Sequence, residues 1–212
     1  MTKILKSNLI HIRGPLYVKL CRGNVLLVFK IKWFFLIDDY VLHKNGLNNK
    51  QNSDCDIIGI KMANSKETID GHNYIEYDEL LFEDLNENEN VAIICEVKSG
   101  RYKKKELFKV EKIKYCLKRF GLLDEKNNKD ITEKVMNNKV YKVRDFYVLK
   151  LLISQKSNDS DIYKNMTLNH INKFIKQRIE SYRHGKNQSR MFFLSNLMQY
   201  IIWSEVNKRD EK

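Results

Sequence analysis

Alanine, proline and paired cysteine are what this chain has least of. Alanine occurs only at Ala63 and Ala92, while Lys, Asn, Ile, Tyr and Phe abound. That is the bias of an AT-rich coding sequence, which raises lysine content without selection for a partner. The net charge of +12 therefore points to a polyanion only in company with a site that would use one. The single proline, Pro15, sits with Gly14 and Gly23 in a stretch that reads as turns between short extended pieces. The four cysteines, Cys21, Cys55, Cys95 and Cys116, are far apart, and no CxxC or Cys/His ligand spacing appears, which argues against zinc. Cys55 and Cys95 fall inside apolar runs and read as small buried thiols, reduced in a cytoplasmic protein. No apolar run approaches the roughly 20 residues that cross a bilayer. Val25–Phe29 and Trp33–Ile37 are interrupted by Lys30 and Lys32 and ended by Asp38 and Asp39, with no small-residue cleavage site beyond, so neither a membrane anchor nor a secretion signal is expected. His170 and His184 stand alone, and Ser189 and Ser195 lack the base or glycine elbow that would make either a nucleophile. No internal repeat is evident.

What is present is enough to build a core. With 212 residues and 42% hydrophobic composition, one domain with a helical extension is the natural reading. The first 32 residues read as an N-terminal extended segment, with a strand over Val25–Phe29. From Trp33 to Asn45, Phe34, Ile37, Val41 and Leu42 recur at helical spacing, and Asn45-Gly46 would end that helix. Asp56–Met62 is a short apolar strand. Residues 63–90 are strongly acidic with Lys66 as their one lysine, yet Tyr74, Leu80, Leu81, Phe82 and Leu85 predict an ordered segment. Val91–Ser99 reads as a buried strand. After it the charge reverses, with Ile113, Cys116, Leu117 and Phe120 forming a helical stripe closed by Gly121. Residues 124–138 read as polar linker and 140–154 as strand or hairpin. Beyond 155 the expectation is a helical extension. Thr167 would cap one helix through Leu168, Ile171, Ile175 and Ile179, and a last helix would run over 192–206.

The chemistry concentrates at Val91-Ala-Ile-Ile-Cys-Glu96-Val-Lys98-Ser-Gly100. Side chains alternate along a strand, so Glu96 and Lys98 project from one face. A carboxylate and an ammonium at the end of a buried strand are costly to desolvate unless something uses them. Upstream, Ser53-Asp54-Cys-Asp56-Ile-Ile-Gly-Ile60 begins a second strand with carboxylates, completing an Asp…Glu-x-Lys constellation. Asp54 offers a competing register for Asp56.

On these residues, and on the order helix, strand with Asp56, strand with Glu96-Val-Lys98, helix, strand, the sequence resembles the PD-(D/E)xK nuclease superfamily over roughly 33–154. The resemblance implies a restriction-endonuclease-like αβββαβ core with a small mixed sheet, residues 63–90 being an acidic insertion, and a C-terminal helical extension over 155–212. It implies Asp56 and Glu96 as ligands of Mg²⁺ or Mn²⁺, with the Val97 carbonyl as a further ligand and Lys98 beside the attacking water. Asp38 or Asp39, on the family's first helix, would be an auxiliary acid. Two carboxylates suffice because Mg²⁺ keeps several waters. Arg101, Lys103, Lys104, Lys105, Lys109 and Lys112, following the motif strand, would hold the phosphate backbone. The expected function is metal-dependent hydrolysis of nucleic acid, DNA foremost. The first alternative is a non-catalytic module that binds nucleic acid or protein on the same fold; the second is a protein-interaction role in which the acidic 63–90 and basic 101–119 segments meet across a homodimer.

Overall fold

Val91–Val97 is buried at every position, the pattern of a strand covered on both faces. The computed structural model makes it the middle of a mixed sheet. The structure describes residues 21–22, 24–26, 28–29, 34–43, 51–65, 67–69, 72–74, 78–83, 85–86, 88–124, 128–158 and 160–181. Gly14, Pro15, Gly23, the Asn45-Gly46 stop, His184, Ser189, Ser195 and the expected helix over 192–206 lie outside them. The strands are β1 (Phe35–His43), β2 (Gln51–Lys61), β3 (Glu67–Ile69), β4 (His72–Tyr74), β5 (Asn90–Lys98), β6 (Val140–Val143), β7 (Phe146–Ser154) and β8 (Lys164–Thr167). The helices are α1 (Glu79–Phe82), α2 (Val110–Arg119), α3 (Asn128–Asn137) and α4 (Leu168–Ser181). The sheet order is β1-β2-β5-β7-β6, with β8 also on β7, and β3-β4 form a separate hairpin. β1, β2 and β5 are antiparallel neighbours, whereas β5, β7 and β8 run parallel.

Helices cover both faces. On one side Val25, Val28, Phe29, Leu81, Leu168, Ile171 and Ile175 pack on Ile57, Val91, Ile93, Val97, Leu149, Leu151 and Ile153. On the other, Ile113, Cys116, Leu117 and Val135 pack on Ile58, Ala92, Ile94, Val148 and Leu152. The α/β class with a mixed sheet is thus as expected. The strand over Asp56–Met62, the strand over Val91–Ser99, the 140–154 hairpin and the helix closed by Gly121 also form where the pattern put them. Gly121 adopts φ +70°, and its N–H and that of Leu122 donate to the Lys118 and Leu117 carbonyls, a C-terminal cap that glycine takes without strain. Thr167 Oγ1 accepts the His170 N–H at 3.1 Å and so caps α4.

Three local assignments are corrected. The N-terminal order is inverted: residues 21–22, 24–26 and 28–29 are helical, and the segment expected as a helix from Trp33 to Asn45 contains strand β1. Cys21, Val25, Val28 and Phe29 share one helix face in the core, whereas Phe35–His43 is rich in aromatic and β-branched residues that pair along β2. Tertiary pairing overrides the chance helical spacing of Phe34, Ile37 and Val41. The second correction is α3, which occupies the expected linker. Its apolar residues are few, but Ile131, Val135 and Met136 form a sufficient stripe against the second core cluster, and Asp130 and Lys134 pair at 2.8 Å one turn apart. Third, Lys164–Thr167 is a strand of the main sheet rather than part of a purely helical extension.

Lys150 lies opposite Ile94 on β7 and is 1% exposed. Its Nζ donates to the Met136 carbonyl and sits 6.0 Å from the Phe108 ring centre. Burial pushes its pKa down from 10.5 to about 8. The unfolded chain therefore binds more protons between those two values, and the desolvation cost is complete below pH 8. Urea unfolding should accordingly show the wild type gaining about 2 kcal/mol from pH 7.5 to 10 relative to Lys150→Met. Parallel pH profiles for the two proteins would refute the assignment.

Candidate active site where two strands part

β2 and β5 stay in register from Lys61↔Val91 to Ile57↔Cys95 and stop there. β1 continues along β2 to Gln51, and β7 continues along β5 to Ser154 opposite Lys98. The break falls at Asp56. In a regular strand Cys55 and Ile57 would share a face, yet Ile57 belongs to the first core cluster and Cys55 to the second. The Asp56 side chain fills the gap, its Oδ2 accepting the Val97 N–H at 2.8 Å. A carboxylate thereby replaces the backbone acceptor that continued pairing would have supplied.

Around this point five charged groups close on one another. Lys98 Nζ lies 3.1 Å from Asp56 Oδ2 and 2.7 Å from Glu96 Oε2, so one ammonium bridges both carboxylates. Arg22 Nη2, from the N-terminal helical residues, pairs with Asp56 Oδ1. Lys112 Nζ, from α2, pairs with Glu96 Oε1. The carboxylate side chains are 3% and 1% exposed and Lys112 is 5%, while Lys98 and Arg22 keep 30% and 26%. Water therefore reaches the cluster from the Lys98 and Arg22 side. Burial acts to lower the Lys98 pKa, but Glu96 and then Asp56 outweigh it, and the net shift is upward from 10.5. Lys98 is consequently an ammonium at neutral pH and supplies positive charge rather than a general base. Its contribution to stability is complete below the ordinary lysine value and disappears only as pH rises through the raised one.

The structure brings Asp56, Glu96, Val97 and Lys98 together as the sequence grouped them. Asp38 and Asp39 lie on a strand, not a helix, with Asp38 opposite Ile57 and thus one residue along from Asp56; their side chains lie outside the described set. Arg101, Lys103, Lys104, Lys105 and Lys109 are exposed on the segment after β5. Lys112, expected beside them, turns inward to Glu96. The signal for it was its position four residues before Cys116, hence on the buried face of α2. Arg22 gave no comparable signal, because the helix that carries it reads as extended chain. Sequence reasoning also missed a polar wall at the same end of the sheet. Asn165 Nδ2 donates to Ser154 Oγ at 3.0 Å and to the Leu152 carbonyl, Asn165 Oδ1 accepts the Asn158 N–H, and Asn158 Nδ2 reaches Tyr102 Oη at 2.6 Å.

All four cysteines are free and buried. Cys116 Sγ lies 3.7 Å from Cys55 Sγ, a contact that raises the Cys116 pKa together with burial. Cys95 is raised chiefly by burial and then by Asp56. The Cys95 and Cys116 thiols are thus protonated packing groups beside the site, not nucleophiles.

The donor set suits a hard divalent cation. Two carboxylate oxygens converge on one point already held by a unit of positive charge. Among the described residues no group of three or more His, Cys, Asp or Glu is placed to hold a metal ion by itself, so such a cation would complete its shell with water and substrate oxygens. Comparison with known proteins returns no match: no family model, no curated protein and no solved structure. Among the described residues no helix is long and apolar enough to cross a membrane.

Removing one partner of a buried pair leaves the other charge uncompensated. Glu96→Ala should therefore lower unfolding stability by about 3–5 kcal/mol, and adding Lys112→Met should restore more than half of that loss. Additive losses in chemical denaturation would show that Glu96 and Lys112 do not depend on each other.

Proposed function

We propose that the chain is a metal-dependent nuclease of the PD-(D/E)xK type, hydrolysing phosphodiester bonds of nucleic acid, with DNA the favoured substrate. The observation that carries this reading is the convergence of Asp56 and Glu96 on a single ammonium where β2 and β5 part. The order of elements supports it. Helical residues precede β1, then come antiparallel β2 and β5, α2, and β7 parallel to β5, with β3, β4, α1, α3 and β6 inserted between them, an order compatible with the αβββαβ core that this reading implies.

In this reading Asp56 and Glu96 hold Mg²⁺ or Mn²⁺, and the Val97 carbonyl adds a ligand. The cation would lower the pKa of a bound water and offset charge on the scissile phosphate. Lys98, firmly protonated, stabilises the developing negative charge, a role whose loss costs roughly 3 kcal/mol of transition-state energy. Arg22 orients Asp56 and presents its guanidinium on the open side of the cluster. Arg101, Lys103, Lys104, Lys105 and Lys109 hold backbone phosphates. Lys112 orients Glu96 from beneath and takes no part in phosphate contact.

One observation favours a second reading. Each carboxylate oxygen already has a cationic partner, so the cluster closes without any ligand. A nuclease-like fold that binds nucleic acid without cutting it would keep such a cluster for its structure alone.

Cleavage of supercoiled plasmid, single-stranded DNA and RNA in Mg²⁺, Mn²⁺ or EDTA separates the two. The nuclease reading requires cutting that depends on metal and falls at least about a hundredfold in Lys98→Ala. Binding without cutting, insensitive to EDTA, would establish the module instead. Replacing Lys103, Lys104 and Lys105 with Glu should weaken binding to every sequence alike and flatten its dependence on salt. An unchanged salt slope would remove that segment from the interface.

A further inference from the structure

The position between Asp56 Oδ2 and Glu96 Oε2 is occupied by Lys98 Nζ, at 3.1 and 2.7 Å. A magnesium ion sits about 2.0–2.1 Å from its oxygen ligands, so the ion and the ammonium cannot share that point. The cations of the cluster differ in their freedom to leave. The Lys112 side chain is 5% exposed and bound to Glu96 alone, whereas Lys98 is 30% exposed at the strand end with solvent beside it.

We propose that Lys98 is a placeholder counter-ion, which holds the cation-binding point in the metal-free protein and is expelled toward solvent when a divalent ion enters, while Lys112 remains on Glu96. This rests on the metal-dependent reading of the site. The placeholder serves the two oxygens that the other cations leave: Arg22 pairs with Asp56 Oδ1 and Lys112 with Glu96 Oε1, so without Lys98 the Oδ2 and Oε2 atoms would face one another with no cation between them. With Lys98 bridging them they stay in position and the metal-free protein keeps its geometry. Metal binding is then an exchange of one cation for another, and its affinity is reduced by the cost of displacing the first. The exchange also moves the Lys98 ammonium to the open side of the cluster, where a phosphate would approach. Loading the metal and presenting the lysine to substrate thus become a single event.

The test uses the full chain and Mn²⁺ as the probe, with calorimetric titration of wild type, Lys98→Met and Lys98→Gln. The second variant serves if the first fails to fold. In parallel, wild type is acylated with an N-hydroxysuccinimide ester with and without Mn²⁺, and each lysine is followed by peptide mass spectrometry. The expected results are about tenfold tighter Mn²⁺ binding in the variants and severalfold faster acylation of Lys98 when Mn²⁺ is bound, with Lys112 unchanged. Acylation is the deciding arm. Mn²⁺ binding with no rise at Lys98 overturns the placeholder even if the variants bind more tightly, because charge removal alone would produce that, and it leaves the metal site standing. Absence of Mn²⁺ binding in wild type and variants overturns the metal reading and the placeholder together.

Discussion

Two carboxylates buried side by side set the terms for the rest of this structure. Asp56 and Glu96 are almost without solvent, and burying a carboxylate is costly unless positive charge is delivered to it. The chain delivers it from three directions: Arg22 from the N-terminal helical residues, Lys98 from β5 itself and Lys112 from α2. Helices on both faces of the sheet are thereby tied to one point, in addition to their apolar contacts. The same carboxylate that needs countercharge also ends the pairing of β2 with β5 by taking the Val97 N–H. Local backbone geometry and site chemistry are one feature at Asp56.

The surrounding scaffold explains why the site can be held so closely. β5 is buried from Val91 to Val97 and paired with β7 as far as Lys98, so Glu96 and Lys98 stay anchored on the β7 side after β2 has left. Register places Lys98 beside Ser154 and Ser154 beside Thr167 at the ends of the parallel strands β5, β7 and β8. That end carries the charge cluster, the Ser154–Asn165–Asn158–Tyr102 chain and the start of the basic segment. In open α/β sheets it is the carboxyl ends of the strands that receive ligands. The first core cluster is tied down by a further polar contact. His170 Nε2 lies 3.2 Å from both oxygens of Asp78, and Asp78 in turn caps α1, which fixes the acidic segment to α4 well away from the chemistry in sequence.

How legible this was depended on how local the determining interaction was. The apolar run ending in Glu96-Val-Lys98 announces a buried strand and a same-face pair, because alternation is a property of the strand alone. Asp56 was readable only as a carboxylate at the start of an apolar run, with Asp54 left as its competitor. Gly121 and Thr167 were readable because capping depends on a few neighbouring residues. The Phe35–His43 strand was not, since its short helical spacing competes with a preference that only pairing with β2 resolves. α3 was missed because a narrow stripe of Ile131, Val135 and Met136 is enough when a preformed core receives it, and no periodicity threshold foresees that. Lys112 looked like one more surface lysine in a lysine-rich segment; its place four residues before Cys116 was the one sign that it faces inward, and the seating of α2 against the sheet brings it to Glu96.

By itself the sequence determined the α/β class, the central strand and the same-face pair Glu96 and Lys98, which follow from side-chain alternation and hydrophobic runs within short windows, while the joining of Asp56 to that pair was an expectation carried by the nuclease resemblance. Tertiary structure alone decided that Arg22 and Lys112 complete the cluster, that β2 parts from β5 at Asp56, and that Lys98 bridges the two carboxylates. Those facts join residues distant in the chain, and charge neutralisation in a dry interior depends on where elements meet rather than on what stands next to what along the chain.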